Sequence, residues 1–313
     1  MLRVLLKEFY QNEHGRKRQV AKLSRRFEYG SNGSTFELFL SGMDRQSYQK
    51  KIKEYKYEGR TDCRLCWSDS SIVYRRSLCI TADIAPFFPY HMLLRPMKLT
   101  ARSKSLTGIG NNIFVGKTEK IDLVCRNYFT KDDIKTMANL AQDSDYIVTQ
   151  AMRGSGASIP EHIHGHAFPK TETEFPLLNK RYFKLFWRQG NSSIYIIEEP
   201  TFAILVKGKS DLISDIFTKI RNEFGYPSNH IIKVDEDFGG LVGVYIPRVK
   251  ETPGANIFHG WKFGVFEVLG LFDVETKERY LQLNYNSLFK AVREVTLHNS
   301  KTQAEILKYI EKI

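Results

Sequence analysis

The sequence predicts an α+β protein, with antiparallel groups of strands and helices packed on one side. Three observations carry this. Short apolar runs rich in Val, Ile, Phe and Tyr recur along the chain, bounded by Gly and Pro. Only a few segments have helical periodicity, and strand candidates come in groups around them. Hydrophobic content of 42% and charged content of 26% over 313 residues are those of a soluble globular chain that can bury a large core.

Residues 1–60 mix helix-like and strand-like pieces, with a short amphipathic helix over Gln46–Tyr55. A strand is predicted over Ser71–Ile80, a turn at Pro86-Phe-Phe-Pro89, and a strand over His91–Arg95 that ends at Pro96. Gly108–Asn112 reads as a loop and Ile121–Cys125 as a strand. Thr130-Lys-Asp-Asp133 opens a helix with a good cap and an acidic first turn, running to about Ala141. Tyr146–Gln150 is the next strand. In the second half, strands are expected at Ser193–Ile197, Phe202–Val206, Ile231–Val234, Leu241–Ile246 and Lys262–Leu269. Helices are expected at Asp211–Phe224 and Thr302–Ile310. Lys170–Leu178, rich in Thr, Glu and Pro, is the best boundary, dividing the chain into residues 1–59, 60–178 and 179–313.

The formal charge is +12, and residues 1–60 hold fourteen Lys/Arg against seven Asp/Glu. Such a surface attracts polyanions. It fits a phosphorylated substrate; nucleic-acid binding is not favoured, because no nucleic-acid motif accompanies the charge. No stretch reaches the roughly 18 apolar residues of a membrane helix, and charges interrupt the apolar N-terminus, so neither a membrane span nor a secretory signal is expected. Four cysteines in a chain of this length argue for a reducing cytoplasm. Gly116-Lys-Thr118 is no P-loop, because five residues lie between Gly110 and Gly116 where the motif has four.

The chemistry concentrates in Ser158-Ile-Pro-Glu-His-Ile-His-Gly-His-Ala-Phe-Pro169. In an extended strand His162, His164 and His166 share one face and form an imidazole row. Upstream, Arg153-Gly-Ser-Gly-Ala-Ser158 offers small residues, backbone N–H groups and a cation, the ingredients of an anion cradle. A phosphate beside imidazoles suggests phosphoryl or nucleotidyl transfer with histidine as nucleophile; a bare metal cluster or solvated positions are the alternatives. Cys63-x-x-Cys66 has zinc-binding spacing, with redox-active or inert thiols as alternatives. His162 could supply a further ligand, and His91, Cys79 or Cys125 could complete the set. Arg248 and Lys250, after an apolar strand, could meet a polyphosphate or could be solvated charges. His230, His259 and His298 read as ordinary histidines.

Gly156-Ala-Ser-Ile-Pro-Glu-His-Ile-His164 resembles the histidine-triad superfamily, closest to its large branch of galactose-1-phosphate uridylyltransferase, diadenosine tetraphosphate phosphorylase and GDP-galactose phosphorylase. Cys63-x-x-Cys66, Pro89-Tyr-His-Met-Leu-Leu-Arg-Pro96 and Tyr146–Gln150 fall in the family order. Tyr245-Ile-Pro-Arg-Val-Lys250 and Gly264-Val-Phe-Glu-Val-Leu-Gly270 resemble the branch's second half. The likeness is specific over residues 60–170, loose over 190–280 and absent from 1–59.

The resemblance implies two histidine-triad-like halves, residues 60–178 being the catalytic one; residues 1–59, which it does not cover, are expected to be a basic extension packed on the core. It implies His164 as nucleophile, His166 bonded to phosphate, and Ser158 with the neighbouring amides, Gly156 among them, holding the phosphate; Arg153, Arg248 and Lys250 are further candidate substrate contacts from their charge. It also implies structural Zn²⁺ with His162 as a ligand beside Cys63 and Cys66; the family's further histidine has no match here, and His91 is the candidate to complete the set. Two departures matter: no histidine follows the Leu-Leu-x-Pro strand, and His166 stands where the branch has Gln. The expected partners are a nucleotide or nucleotide sugar and a phosphate or sugar-phosphate acceptor; homodimers are common in such proteins. A hydrolase of the same fold, or a zinc-stabilised module binding RNA or nucleotides without catalysis, is the alternative.

Overall fold

The computed structural model describes residues 2–14, 23–28, 35–40, 68–75, 77–82, 90–98, 106–110, 113–118, 128–157, 162–170 and 175–313. In chain order these form α1 (Leu2–His14), β1 (Leu23–Glu28), β2 (Thr35–Leu40), β3 (Ser68–Tyr74), β4 (Leu78–Ala82), β5 (Met92–Pro96), β6 (Thr107–Gly110), β7 (Ile113–Thr118), α2 (Lys131–Ser144), β8 (Tyr146–Ala151) and β9 (Gly165–Pro169). There follow β10 (Lys184–Gln189), β11 (Ser192–Ile197), β12 (Ala203–Lys207), α3 (Ser210–Phe224), β13 (Ser228–Asp235), β14 (Gly240–Pro247), β15 (Leu271–Val274), α4 (Lys277–Gln282), α5 (Tyr285–Val295) and α6 (Ser300–Ile310).

Twelve strands make one antiparallel sheet in the order β10-β11-β12-β14-β13-β8-β9-β5-β4-β3-β7-β6. Two runs of elements repeat within it: β3-β4-β5-α2-β8-β9, then β10-β11-β12-α3-β13-β14. Their sheet positions mirror one another about the β8–β13 pair, where Thr149 faces Ile231. The fold is therefore α+β and two-halved. A smaller sheet, β1-β2-β15, joins residues before the first half to the second half, with β15 parallel to β2.

Local chemistry explains why the helices form where they do. Thr130 Oγ1 accepts from the Asp133 amide at 3.3 Å, and the Asp133 carboxylate accepts from the Thr130 amide at 2.7 Å, so two otherwise orphaned donors are satisfied. Ile134, Met137, Ala138 and Ala141 then form a buried stripe at helical spacing, lying on the sheet beside Ile213, Phe217 and Ile220 of α3. Alternation along the strands sends Val148, Ile204, Ile232 and Tyr245 to this core. It sends Ile147, Phe168, Leu205, Ile231 and Val244 to a second core on the opposite face, closed by α5 and residues 258–272.

The expected strand Ser71–Ile80 is instead the hairpin β3–β4, turning at Arg75 with φ 47°. Gly108–Asn112, read as a loop, contains the end of β6. Lys262–Leu269 is not a strand: it is irregular, ending in a short 3-10 turn at Glu267–Leu269, and the strand β15 begins beyond Gly270. Helix α5 and edge strand β10 were not expected. The expected elements Gln46–Tyr55 and Ile121–Cys125 lie outside the described residues. No helix among the described residues is long and apolar enough to cross a membrane.

Candidate active site

The register of β5 against β9 puts Leu93 opposite His166 and Met92 opposite Ala167. Since side chains alternate, His91, Leu93 and Arg95 share the face of His166 and Phe168, whereas Met92 and Leu94 enter the core under α2. On the other flank, Thr149 of β8 is paired with His166. Gly165, between the two site histidines, faces the helices: a Cβ there would lie 2.8 Å from the Thr149 carbonyl oxygen and 3.4 Å from Met137 Cε.

His164 Nδ1 lies 2.9 Å from the carbonyl oxygen of His162. A carbonyl can only accept, so Nδ1 carries the proton and Nε2 keeps its lone pair. The tautomer is thereby set by the backbone of the same segment. The His164 ring is buried and meets His166 edge-on, with centroids 5.3 Å apart and planes at 81°. His166 is the more exposed of the two and lies 4.9 Å from the His91 ring, which also meets Phe168 at 5.7 Å. Three imidazoles thus run across two strands: His164, His166, His91. With Nδ1 fixed as the donor, Nε2 is the ring atom that can act as a nucleophile.

The extended register also sets Arg95 level with His164, since each ladder pair of β5 and β9 sums to 259. Arg95 is buried, with Nη2 at 3.3 Å from Cys79 Sγ and 3.4 Å from Thr81 Oγ1 on β4. The sequence reading passed over Arg95. Its signal was the placement of His91 and Arg95 four residues apart, and so on one strand face, in an otherwise apolar segment.

The Gly/Ser loop is held by the second half. Glu251 accepts at Oε1 from the amides of Gly154 (3.1 Å) and Gly156 (3.3 Å), while Oε2 meets Lys262 Nζ at 2.8 Å. Burial alone would raise the Glu251 carboxyl, but Lys262 and the two amides outweigh it and hold the group below the usual carboxylate range. Arg248 lies beneath the loop and is wholly buried. It donates to Ser155 O (3.1 Å), Asn229 Oδ1 (2.5 Å), Phe263 O (3.0 Å), Lys250 O (3.0 Å) and Val295 O (3.0 Å). Burial pushes its guanidinium down to about 9. Asn229 Nδ2 donates to the same Ser155 carbonyl at 2.9 Å.

These contacts change several expectations. Arg248 does not face a substrate: its donors go to backbone carbonyls and Asn229. Lys250 is paired with Glu294, which it holds below the ordinary carboxylate range. The Gly154 and Gly156 amides are not spare, because Glu251 takes them. The β5–β9 register, continued by one pair, sets His91 level with Phe168, and its ring meets those of His166 and Phe168. Arg153 is exposed at the loop's tip. Cys63, Cys66, Cys125 and Ser158 lie outside the described residues, and Cys79 is a buried thiol against Arg95. Among the described residues no three His, Cys, Asp or Glu are grouped to hold a metal ion.

No family model matches the sequence, and no curated protein matches it. The fold does have solved counterparts. A structure of yeast Ap4A phosphorylase Apa2 in complex with Ap4A superposes with a TM-score of 0.57 at 12% identity, covering 94% of this chain and 97% of that one. The same yeast enzyme in complex with AMP gives a TM-score of 0.56 at 11% identity, covering 93% and 94%. The chain therefore has the two-halved architecture of that phosphorylase over nearly its whole length.

Proposed function

We propose that the chain is a nucleotidyltransferase or phosphorylase of the histidine-triad type, acting on a nucleoside diphosphate sugar or a dinucleoside polyphosphate through a nucleotidyl-His164 intermediate. The observation that carries this is the His164 Nδ1–His162 carbonyl bond, which leaves Nε2 as the attacking lone pair. Nε2 bonds to the α-phosphorus as the bond from phosphorus to the leaving phosphate oxygen breaks. An acceptor (inorganic phosphate or a sugar phosphate) then attacks the same phosphorus and releases His164, splitting one hard displacement into two. In this reading His166, adjacent to His164 and more exposed, donates to a non-bridging oxygen, a role worth roughly 2.7–4 kcal/mol in comparable oxyanion sites. Ser158 and Arg153 belong to the same reading as phosphate contacts. The ligands named with the Apa2 structures, Ap4A and AMP, favour a nucleotide substrate.

Zinc fits part of the donor set. Cys63, Cys66 and the buried His162 are two thiolates and an imidazole, the chemistry of a structural tetrahedral site. When bound, the ion would tie the cysteine segment to the catalytic strand.

Intact-mass spectrometry tests the reading. The protein is mixed briefly with a panel of nucleoside diphosphate sugars and dinucleoside polyphosphates, alongside His164→Ala. The expected result is a nucleoside-monophosphate adduct in the wild type and none in the variant. No adduct and no turnover across the panel would refute catalysis and leave a nucleotide-binding module. Turnover to free nucleotide without any added acceptor would identify the hydrolase.

A further inference from the structure

The loop before the catalytic strand is built in the first half, yet its amides are answered from the second. Gly154 and Gly156 both have positive φ, 84° and 85°, so their N–H groups converge, and the anion that fills the resulting nest is the Glu251 carboxylate. Its other oxygen is paired with Lys262, so neither oxygen is left to solvent alone. Glu251 also gives its carbonyl oxygen to the Phe263 amide at 2.8 Å, which fixes the backbone that Gly156 packs against. The two amide bonds to Glu251 cross between the halves, while the Lys262 and Phe263 contacts fix Glu251 within its own half.

We propose that Glu251, with Lys262, is a positioning residue for the transfer step: an ionic latch through which the second half holds the loop and so places His164 and the residues before it. This rests on the reading that His164 carries the nucleotide. It gives the nest amides to the protein rather than to the substrate, which leaves phosphate contact to the histidine row and to residues beyond Gly156. The two assignments make opposite predictions. If the amides served the substrate, Glu251 would compete with it, and removing the carboxylate would tighten binding. As a latch, its removal loosens the loop and slows transfer.

The test uses the full chain with Glu251→Ala and Glu251→Gln. Adduct formation is timed in single turnovers with Ap4A as probe, and amide hydrogen exchange is followed over residues 150–157. Glu251→Ala should slow adduct formation by about tenfold or more, the factor expected for losing a charge-assisted hydrogen-bond pair, with KM changed by less than about threefold. Exchange at Gly154 and Gly156 should accelerate. Glu251→Gln keeps an oxygen acceptor for both amides, so it should restore protection and most of the rate; a thermal melt shows that both variants are folded. Faster or tighter reaction in Glu251→Ala overturns the latch, and so does unchanged exchange. If the wild type forms no adduct, nucleotidyl transfer fails, and the exchange arm still decides whether Glu251 holds the loop.

Discussion

A methyl group at Gly156 probes the contact between the Gly/Ser loop and the second half. Built on the backbone, the Cβ would lie 2.0 Å from the carbonyl oxygen of Phe263, 2.6 Å from its carbonyl carbon and 2.9 Å from Gly264 Cα. All three are backbone atoms, so no rotamer relieves the overlap. Ordinary contact needs roughly 3.5 Å, and the loop and residues 263–264 must part by more than 1 Å. That movement breaks the Gly154 and Gly156 bonds to Glu251 and strains the Arg248 bridge from Ser155 O to Phe263 O. Losing about two charge-assisted bonds costs roughly 3 kcal/mol or more, and placing alanine at φ 85° adds about 1–2 kcal/mol. The expected loss is about 4–5 kcal/mol in urea denaturation, with adduct formation lost at permissive temperature. Gly190→Ala is the control. Gly190 has φ 55° with nothing within 4 Å of its built Cβ, so it shares the strain without the clash and should lose only about 1–2 kcal/mol. If the two variants agree within about 1 kcal/mol, the tight contact is not what fixes the loop.

Two further outcomes follow from the buried polar network. His230 is fully buried, with Nδ1 donating to Gln150 Oε1 at 3.1 Å and Nε2 accepting from Ser228 Oγ at 2.8 Å; burial first, then Arg221, pushes its pKa from 6.5 to about 3. The unfolded chain then binds the extra proton below pH 6.5, so this stability is present above that pH and is lost as pH falls toward 3, at up to about 1.4 kcal/mol per unit. His230→Gln should flatten the difference between urea curves at pH 7.5 and pH 5; an unchanged slope would refute a neutral buried ring. Arg248→Met should cost about 3–5 kcal/mol, because five acceptors, four of them in buried contacts, lose a donor. Arg248→Lys should not restore it, since one ammonium cannot reproduce the planar fork; full recovery in Lys would show that charge alone matters.

Local features were legible in the sequence. The start of α2 could be read because Thr130 and Asp133 are three residues apart, and the period-two spacing of the histidines put His164 and His166 on one face. Helix α5 was also readable: Leu288, Ala291, Val292 and Val295 form a helical stripe behind the Asn284 cap, and the aromatic segments around it masked the signal. Lys262–Leu269 misled because its composition is that of a strand. Its backbone instead serves as a wall, with the Phe263 carbonyl turned toward Gly156 and Arg248. Arg248 and Lys250 were singled out for their charge, but what they bond to lies elsewhere in the chain. Glu251 gave no signal at all, being 97 residues from Gly154.

The sheet order explains why that distant carboxylate matters. The two runs of elements mirror one another about β8 and β13, which makes β14 the counterpart of β9. Where β9 and the residues before it carry His162, His164 and His166, β14 reads Gly-Leu-Val-Gly-Val-Tyr-Ile-Pro and carries no histidine. The second half therefore repeats the scaffold without the histidines. Its polar investment lies just past β14, in Arg248 and Glu251, and both are aimed at the loop of the first half. A buried arginine and a carboxylate on glycine amides are poor ways to gain stability, since burying charge recovers little net energy. They are good ways to fix one backbone conformation, because their hydrogen-bond directions tolerate few alternatives. On that argument, substitutions at Arg248 or Glu251 should alter the rate of histidine chemistry while leaving the imidazole row itself untouched.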